Sequence, residues 1–240
     1  MLTPLNPMLL FDHRYDILPP VVLKSESRFI RAKSLNGRQT VRIPVVMNGK
    51  LAYLIGVVIG DGYLSKAIKR KAHGGGYHWK LVVTGPCNYV SRLQGTFLEL
   101  FGIQGGLWHD KRKTDTWQLR FGSLLLHRFF ARVIGISLGK KTTHGAWSRL
   151  ELVSEFPFHF LAGLIDSDGH IGKKYIGIVQ KRLRFLVRVR RFAMLNTGLH
   201  FRGPHVNSRK DGRIASWIIS ISNAKERLRL MKSISQLGVF

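Results

Sequence analysis

Two aspartates with matching surroundings are the residues best suited to chemistry in this sequence. Asp61 and Asp168 each end an apolar segment and each precede a glycine. The segments read LIGVVIGDG at 54–62 and LAGLIDSDG at 161–169, and the two acids are 107 residues apart (168 − 61). A repeated apolar helix that ends in a carboxylate indicates two copies of one module, each supplying half of a metal site.

The expected position of these carboxylates favours a bound cation. Each segment predicts a helix that ends at its aspartate, with the following glycine at the C′ position. The carbonyl end of a helix already carries about half a negative charge, so a carboxylate is poorly placed there, and two such ends side by side repel. A divalent cation reverses this balance, because carboxylate, carbonyl and water oxygens form the hard-oxygen site that suits Mg²⁺. A single pair such as Asp211-Gly212 is better explained as an ordinary turn.

Small residues four positions apart predict that the two helices touch. Gly56 and Gly60 share one face of the first helix, and Gly163 and Ser167 share one face of the second. Such spacing lets two helix backbones approach closely. Glycine inside a helix costs about 1 kcal/mol relative to alanine, so two in one short helix indicate a packing need. We therefore expect the helices to form a central seam between two halves of the protein.

The segments around each aspartate predict the same order of elements twice, α-β-β-α-β-β-α, in an α+β fold. Ser123 and Asn223 are good N-caps for the last helix of each half. The first half is predicted to have helices at 51–60, 88–101 and 123–134 and strands at 63–70, 78–84, 106–110 and 117–121. The second half is predicted to have helices at 158–167, 184–195 and 223–237 and strands at 170–173, 175–180, 200–205 and 216–221.

This organisation divides the chain into four parts. Residues 44–134 are predicted to be the first repeat and 158–240 the second, with a linker at 135–157. Residues 1–43 contain several prolines and a polar, basic segment. We expect them to be an N-terminal extension of strands or an arm lying on the main body, rather than a second core.

The charge balance indicates a polyanionic partner. The 240 residues include 39 Lys and Arg against 13 Asp and Glu, a formal net charge of +26. This charge disfavours the compact state unless a polyanion offsets it, with nucleic acid the leading candidate and an anionic membrane surface second. At 45% hydrophobic residues the chain can bury a normal core, which excludes a disordered basic tail. Basic residues interleaved with aromatic ones favour a broad phosphate-contacting surface.

The sequence also predicts a soluble protein of a reducing, intracellular compartment. Cys87 is the only cysteine, which excludes an internal disulfide and a cysteine-based zinc site. Residues 1–10 carry two prolines and no basic residue, so no signal peptide is expected. The longest apolar run, 51–60, falls far short of the roughly 20 residues needed to span a bilayer.

The paired motifs resemble those of a known family, the LAGLIDADG homing endonucleases. The second motif departs from the LAGLIDADG consensus only at Ser167, where the consensus has alanine. The first motif keeps Leu54, Gly56 and the final Asp-Gly and substitutes apolar or small residues between them. From about residue 45 onward, the chain resembles a single-chain, two-repeat member of this family.

The resemblance implies a monomeric, pseudo-symmetric enzyme that cuts double-stranded DNA at a long, non-palindromic target, as in intron homing. Two antiparallel sheets would form a saddle over the DNA around two central packed helices. Asp61 and Asp168 would bind Mg²⁺ or another divalent cation, helped by the backbone carbonyls of Gly60 and Ser167. Ile59 replaces an earlier consensus aspartate that is not a metal ligand of the family.

The resemblance also implies polar or basic side chains near the metals. Gln180 and Arg184 are the second-half candidates, and Thr84 and Asn88 are their first-half counterparts. Alternation along strand 117–121 makes Arg120 the candidate for the basic residue that the family places in its active site. Arg120 corresponds to Ser220 in the second half, so the two DNA strands need not be cut at equal rates.

Contacts to DNA are expected from sheet faces in the major groove. Many of these side chains would contact only phosphate and add affinity without sequence choice. The candidates are Lys66, Lys69, Arg70, Lys80, Lys111, Arg112, Lys113, Gln118, Lys173, Lys174, Lys181, Arg182, Arg202, Arg209, Lys210 and Arg213.

Two other functions fit the same composition. A LAGLIDADG-type maturase would bind intron RNA and assist splicing, with or without DNA cleavage. A transcriptional regulator would share the DNA partner but would leave the paired acids and the close-approach glycines unexplained. Retention of both Asp61 and Asp168 favours the endonuclease.

Overall fold

The chain folds into two compact units. The first helix of the first predicted repeat belongs to the second unit. A computed structural model describes residues 3–11, 21–25, 28–33, 39–68, 77–111, 114–137, 147, 149–208 and 214–236. One unit comprises Met1–Met47 and Asp61–His144, and the other comprises Asn48–Gly60 and Gly145–Phe240. The predicted boundaries at 43/44 and 134/135 therefore differ from the units, because the helix at 49–60 packs against a helix of the second half.

The described residues of the first unit form two antiparallel sheets and two α-helices. A three-stranded sheet has the order β1-β2-β3, and a four-stranded sheet has the order β4-β5-β7-β6. The strands are β1 (Val21–Ser25), β2 (Phe29–Lys33), β3 (Thr40–Pro44), β4 (Gly62–Ile68), β5 (Tyr77–Gly85), β6 (Gly106–His109) and β7 (Trp117–Phe121). The helices are α2 (Cys87–Phe101) and α3 (Leu124–Arg128), the latter continued by a π-helical turn at Phe129–Val133, and a short 3-10 helix spans Pro7–Phe11.

Among the described residues, the second unit has one sheet, which repeats the four-stranded sheet of the first unit. Its four-stranded antiparallel sheet has the order β8-β9-β11-β10, the counterpart of β4-β5-β7-β6. The strands are β8 (Gly169–Ile171), β9 (Ile176–Gln180), β10 (Arg202–Ser208) and β11 (Ile214–Ile221). The helices are α1 (Gly49–Gly60), α4 (Pro157–Asp168), α5 (Leu183–Thr197) and α6 (Ala224–Ser235), and a 3-10 helix lies at Leu150–Val153.

The element order confirms the predicted repeat, α-β-β-α-β-β-α in each copy, with boundaries within a few residues of those expected. Both predicted N-caps are present: the Ser123 hydroxyl accepts from the Leu126 amide at 3.3 Å, and the Asn223 side chain accepts from the Glu226 amide at 3.2 Å. The difference lies after α3, where the segment predicted as one helix to residue 134 changes from α to π. No helix in the described ranges has the length and hydrophobicity to cross a membrane.

Equivalent helices α2 and α5 end in the same way. Each has 15 residues and is followed by a left-handed glycine, Gly102 at φ 66° and Gly198 at φ 67°. An arginine then binds the last carbonyls: Arg42 of β3 donates to those of Leu98 and Glu99, and Arg229 of α6 donates to that of Thr197 at 2.6 Å. A cation at this end also suits the helix dipole. The two copies thus stabilise the same helix end from different elements.

The N-terminal residues contribute to the core of the first unit. Ile30, Ala32, Val41 and Ile43 on β2 and β3 are buried. The buried Arg128 of α3 also donates to the backbone carbonyl of Leu10 at 3.3 Å. The expectation of extended strands in residues 1–43 agrees with β1 to β3, but these strands form part of the first unit. Composition missed this role because the apolar residues of short strands are spread among prolines and charges.

Candidate active site

The core of the candidate site is the contact between α1 and α4, both of which lie in the second unit. A methyl group added to Gly56 would lie 2.5 Å from the Phe160 carbonyl oxygen and 2.9 Å from the Leu164 amide nitrogen. One added to Gly163 would overlap the Tyr53 carbonyl and lie 3.0 Å from the Val57 nitrogen. Backbone thus touches backbone at both glycines, which no larger residue would allow. All ten residues 51–60 of α1 are buried.

The same packing defines where the helices end. The ring of His159 covers Gly49 near the start of both helices, and Gly60 meets Ser167 at the other end. The two helices therefore run in the same direction. A methyl group on Gly60 would overlap the Ser167 side chain and lie 3.0 Å from Oδ2 of Asp168. The Asp168 carboxylate consequently lies at the carbonyl end of α1 and, as the last residue of α4, at the carbonyl end of its own helix.

This position is electrostatically unfavourable for a carboxylate, because two helix ends present partial negative charge to it. A carboxylate and helix-terminal carbonyls are hard-oxygen donors that fit Mg²⁺ or another divalent cation. In the described part of the chain, no group of three or more His, Cys, Asp or Glu side chains is gathered. A cation held here would therefore need carbonyl, water or phosphate oxygens as well, as Mg²⁺ commonly does.

Asp61 follows Gly60 directly in the chain. It is half-buried, and its backbone carbonyl accepts from the Thr84 amide at 3.2 Å. Neither glycine that follows the aspartates adopts the left-handed conformation common after helices. Gly169 is extended at φ −98°, and Gly62 is not among the positive-φ glycines. Glycine is required at position 169 because a methyl group there would overlap the Ile165 carbonyl.

Gln180 holds the Asp168 side chain. It is the last residue of β9, and its amide nitrogen donates to Oδ2 of Asp168. The strand register gives its first-half equivalent. Gly169 pairs with Ile178 and Gly62 pairs with Val83, so Gln180 corresponds to Gly85 and not to Thr84, which differs from the predicted correspondence. A single-residue shift reverses the face of a strand, which sequence alignment at the strand end could not detect.

Asn88 and Arg184 do occupy equivalent positions, one residue after the first residues of α2 and α5. Both side chains are exposed. Arg120 and Ser220 are also equivalent, since Phe121 pairs with Leu81 and Ile221 pairs with Ile176. The asymmetry between the two copies therefore includes both Gln180 against Gly85 and Arg120 against Ser220.

Arg120 lies in a small cluster on the first four-stranded sheet. Its Nε and Nη2 donate to Oε1 of Gln118 at 2.9 and 2.6 Å, and its guanidinium lies 4.9 Å from the Trp108 ring centroid. Trp108 pairs with Gln118 across β6 and β7 and is 57% exposed. The opposite face carries the buried Leu119 and Phe121. Sequence reasoning missed Trp108, although the alternation of β6 could have placed it beside Arg120.

Two partly buried polar contacts were also missed. The Tyr53 hydroxyl donates to Oδ2 of Asp166 at 2.6 Å, which ties α1 to α4. Asp166 occupies the earlier aspartate position of the motif, and Tyr53 lies in a run of apolar residues. Neither the residue types nor their spacing in the sequence therefore identified this pair. The Ser167 hydroxyl donates to the Gly163 carbonyl at 2.7 Å and so stays within its own helix.

The remaining DNA-contact candidates fall on several surfaces. Lys66 shares the helix-covered face with Leu64, and its Nζ lies over the Trp79 ring at 4.7 Å, so its side chain is on the opposite face of the sheet from Arg120. Lys80 lies on the Arg120 face, since Val82 pairs with Arg120. Arg202 pairs with Ser220 and is exposed on the corresponding face of the second sheet.

Other candidates lie in turns and junctions. Lys111 is exposed after β6, Lys173 and Lys174 are exposed between β8 and β9, and Lys181 and Arg182 join β9 to α5. Burial lowers the pKa of the Arg182 guanidinium. His170, opposite Gly177, and His205, opposite Ile218, are exposed strand residues that the sequence did not single out. Outside the described residues lie Lys69, Arg70, Arg112, Lys113, Arg209, Lys210 and Arg213, together with the turn expected at Asp211-Gly212.

Comparison with known proteins gives a family match to part of the chain and a fold shared with solved structures. Residues 155–235 match the family described as the LAGLIDADG-like domain. No curated protein matches the chain by sequence. The chain has the fold of the homing endonuclease I-DmoI, and the family match covers most of its second repeat.

Solved structures of I-DmoI, described as a homing endonuclease, share this fold. I-DmoI in complex with DNA and Mn is 22% identical, with a TM-score of 0.54 over 78% of this chain and 96% of that chain. Mesophilic variants of the homing endonuclease I-DmoI are 22% identical, with a TM-score of 0.55 over 78% of this chain and 95% of theirs. I-DmoI in complex with DNA and Ca is 21% identical, with a TM-score of 0.56 over 78% and 88%.

Proposed function

We propose that this protein is a monomeric, metal-dependent endonuclease that makes a double-strand break in a long, non-palindromic DNA target. The observation that supports the proposal is the close approach of the C-terminal ends of α1 and α4. Gly60 lies against the Asp168 carboxylate there, and Asp61 is the next residue of the chain. The complexes of I-DmoI with DNA and with Mn or Ca support duplex DNA as substrate and a divalent cation as cofactor.

The proposed ligands are the carboxylates of Asp61 and Asp168 and the carbonyls of Gly60 and Ser167, with Mg²⁺ as the cation. When bound, such a cation supplies activation of water and stabilisation of the leaving oxygen. Gln180 keeps the Asp168 carboxylate in one orientation through its amide hydrogen bond. The first copy has no such side chain at Gly85, so Asp61 depends on other groups for its orientation.

Arg120 is the proposed phosphate-binding residue of the first copy. Its guanidinium is oriented by Gln118 and the Trp108 ring, so less side-chain freedom is lost when it engages a phosphate oxygen. Ser220 offers a hydroxyl and no charge at the equivalent position. We expect the two DNA strands to be cut at different rates for this reason. Strand-specific end labels on one duplex target would measure both rates.

The decisive experiment compares aspartate variants on a target selected from a randomised DNA library. Asp61→Asn and Asp168→Asn should abolish cleavage and retain DNA binding, since each removes a charged ligand but keeps its shape. Asp166→Asn is the matched control, because its carboxylate is engaged by Tyr53, and this variant should still cut. Cutting in EDTA, or a fully active Asp168→Asn, would refute the proposal.

The same purified protein can be used to distinguish the endonuclease from the maturase that binds intron RNA. The pure protein is incubated with Mg²⁺ and DNA that contains an intron insertion site, and its binding to the intron RNA is measured in parallel. Absence of cleavage together with tight RNA binding would replace the nuclease assignment with the maturase.

A further inference from the structure

Trp108 is the most exposed of the described Phe, Tyr and Trp side chains, at 57%. It lies on β6, the edge strand of the first four-stranded sheet, where it pairs with Gln118 of β7. Lys80 and Arg120 lie on the same face of the sheet, whereas Leu119 on the opposite face is fully buried. A large apolar ring is therefore exposed beside basic side chains.

The indole of Trp108 has a defined orientation on this face. The Arg120 guanidinium lies 4.9 Å from its ring centroid and is itself held by two hydrogen bonds to Gln118. A methyl group at Gly106 would lie 3.1 Å from the indole Nε1 and 3.7 Å from Cδ1, so this edge of the ring faces position 106 of its own strand. The N–H donor is thus turned toward the strand, and the rest of the ring surface is carbon.

The second repeat does not carry this arrangement. Ser220 is the equivalent of Arg120. Two residues earlier, Ile218 is therefore the equivalent of Gln118, and it pairs with the exposed His205. A histidine at the position of the tryptophan offers ring nitrogens for hydrogen bonds in place of a broad apolar surface. The fold does not require an exposed tryptophan on this strand, since a requirement of the fold would apply to both copies.

We propose that Trp108 contacts the C5-methyl group of a thymine in the major groove, so that one thymine is preferred in the half of the target that the first repeat binds. The inference rests on the proposed function, because it takes duplex DNA as the substrate. The base edges in the major groove present hydrogen-bonding groups and one apolar group, the thymine methyl. An indole whose N–H is turned toward its own strand offers apolar contact, so the methyl group is the feature of the groove that it fits.

This contact would give sequence choice to a surface whose cations add affinity for any sequence. Burial of one methyl group corresponds to about fourfold in affinity, or about 0.8 kcal/mol. Deoxyuridine differs from thymidine only by this methyl group, and 5-methylcytosine carries the same methyl group on cytosine. Both substitutions leave base pairing unchanged, so they test the contact of Trp108 without altering the hydrogen-bonding groups of the target.

The test starts from duplexes that the parent protein binds in a randomised DNA library in EDTA, so that the readout is binding alone. Each thymidine is replaced singly by deoxyuridine, and Kd is measured by fluorescence anisotropy. One replacement should weaken binding of the parent about fourfold, whereas Trp108→Ala should bind both duplexes equally. Leu107→Ala is the matched control and should keep the preference of the parent, because the neighbouring Leu107 pairs with Leu119 on the other face and is 36% exposed.

The converse substitution adds the methyl group. With cytosine at the same position, 5-methylcytosine should bind the parent more tightly than cytosine does, and Trp108→Ala should not distinguish them. Circular dichroism verifies that each variant is folded. The inference is overturned if the folded Trp108→Ala variant keeps the preference for thymidine, if Leu107→Ala loses it, or if no replacement affects the parent. A library that yields no bound duplex would contradict the proposed function itself, and with it the substrate on which this inference rests.

Discussion

Replacement of Gly56 by alanine tests the backbone contact between α1 and α4. The new methyl carbon would lie 2.5 Å from the Phe160 carbonyl oxygen, about 0.9 Å short of the 3.4 Å at which ordinary contacts begin. The obstructing atoms belong to the backbone of α4, so no side-chain rotation relieves the overlap. The two helices must separate or shift along their whole contact.

The expected magnitude combines two opposing effects. Overpacking of this kind costs about 1–3 kcal/mol, and a helix backbone that cannot give way places Gly56→Ala near the upper end. Alanine favours the helix by about 1 kcal/mol over glycine, so the net loss of unfolding free energy is about 2 kcal/mol. For a protein of this size, about 2–4 °C per kcal/mol predicts a fall of about 4–8 °C in Tm.

Gly95→Ala is the matched control, because Gly95 is exposed in the middle of α2 and a methyl group there meets no atom within 4 Å. This variant gains the helix preference without the overlap, so its Tm should rise. Thermal and guanidinium unfolding of both variants, followed by circular dichroism, provides the comparison. If Gly56→Ala is as stable as the parent or gains stability like Gly95→Ala, the close backbone contact is refuted.

Two further predictions concern buried polar side chains. Burial, reinforced by Arg128, Arg132 and Lys66, lowers the pKa of His127 from 6.5 to about 4, so folding disfavours its protonated form. Stability should be full above pH 6.5 and fall toward pH 4 by about 3 kcal/mol at most, and a His127→Phe variant followed by denaturant titration across this range should lack that loss. Tyr53→Phe removes the 2.6 Å hydrogen bond to Asp166 and should lower the free energy of unfolding by about 2 kcal/mol. In a double-mutant cycle, this loss should be smaller when Asp166→Asn is already present.

Most of the element order could be predicted because its determinants are local. A helix that buries one face and a strand that alternates leave periodic patterns, and Ser123 and Asn223 bind amides only three residues away. The repeated Asp-Gly and the glycines four apart also lie within single segments. These residues therefore identified the two copies, the paired helices and the carboxylates from the chain alone.

The tertiary structure decided what depends on distant partners. The strand register makes Gln180 the equivalent of Gly85 and places Lys66 on the helix-covered face of its sheet. A shift of one residue in the register would move every side chain to the other face, so the sequence alone could not decide this. The contact with α4 assigns α1 to the second unit, and Arg42 joins the N-terminal strands to the end of α2. The Asp168 carboxylate was visible in the sequence, but only packing brought it beside Gly60, since that closeness requires two glycine-lined backbones to meet.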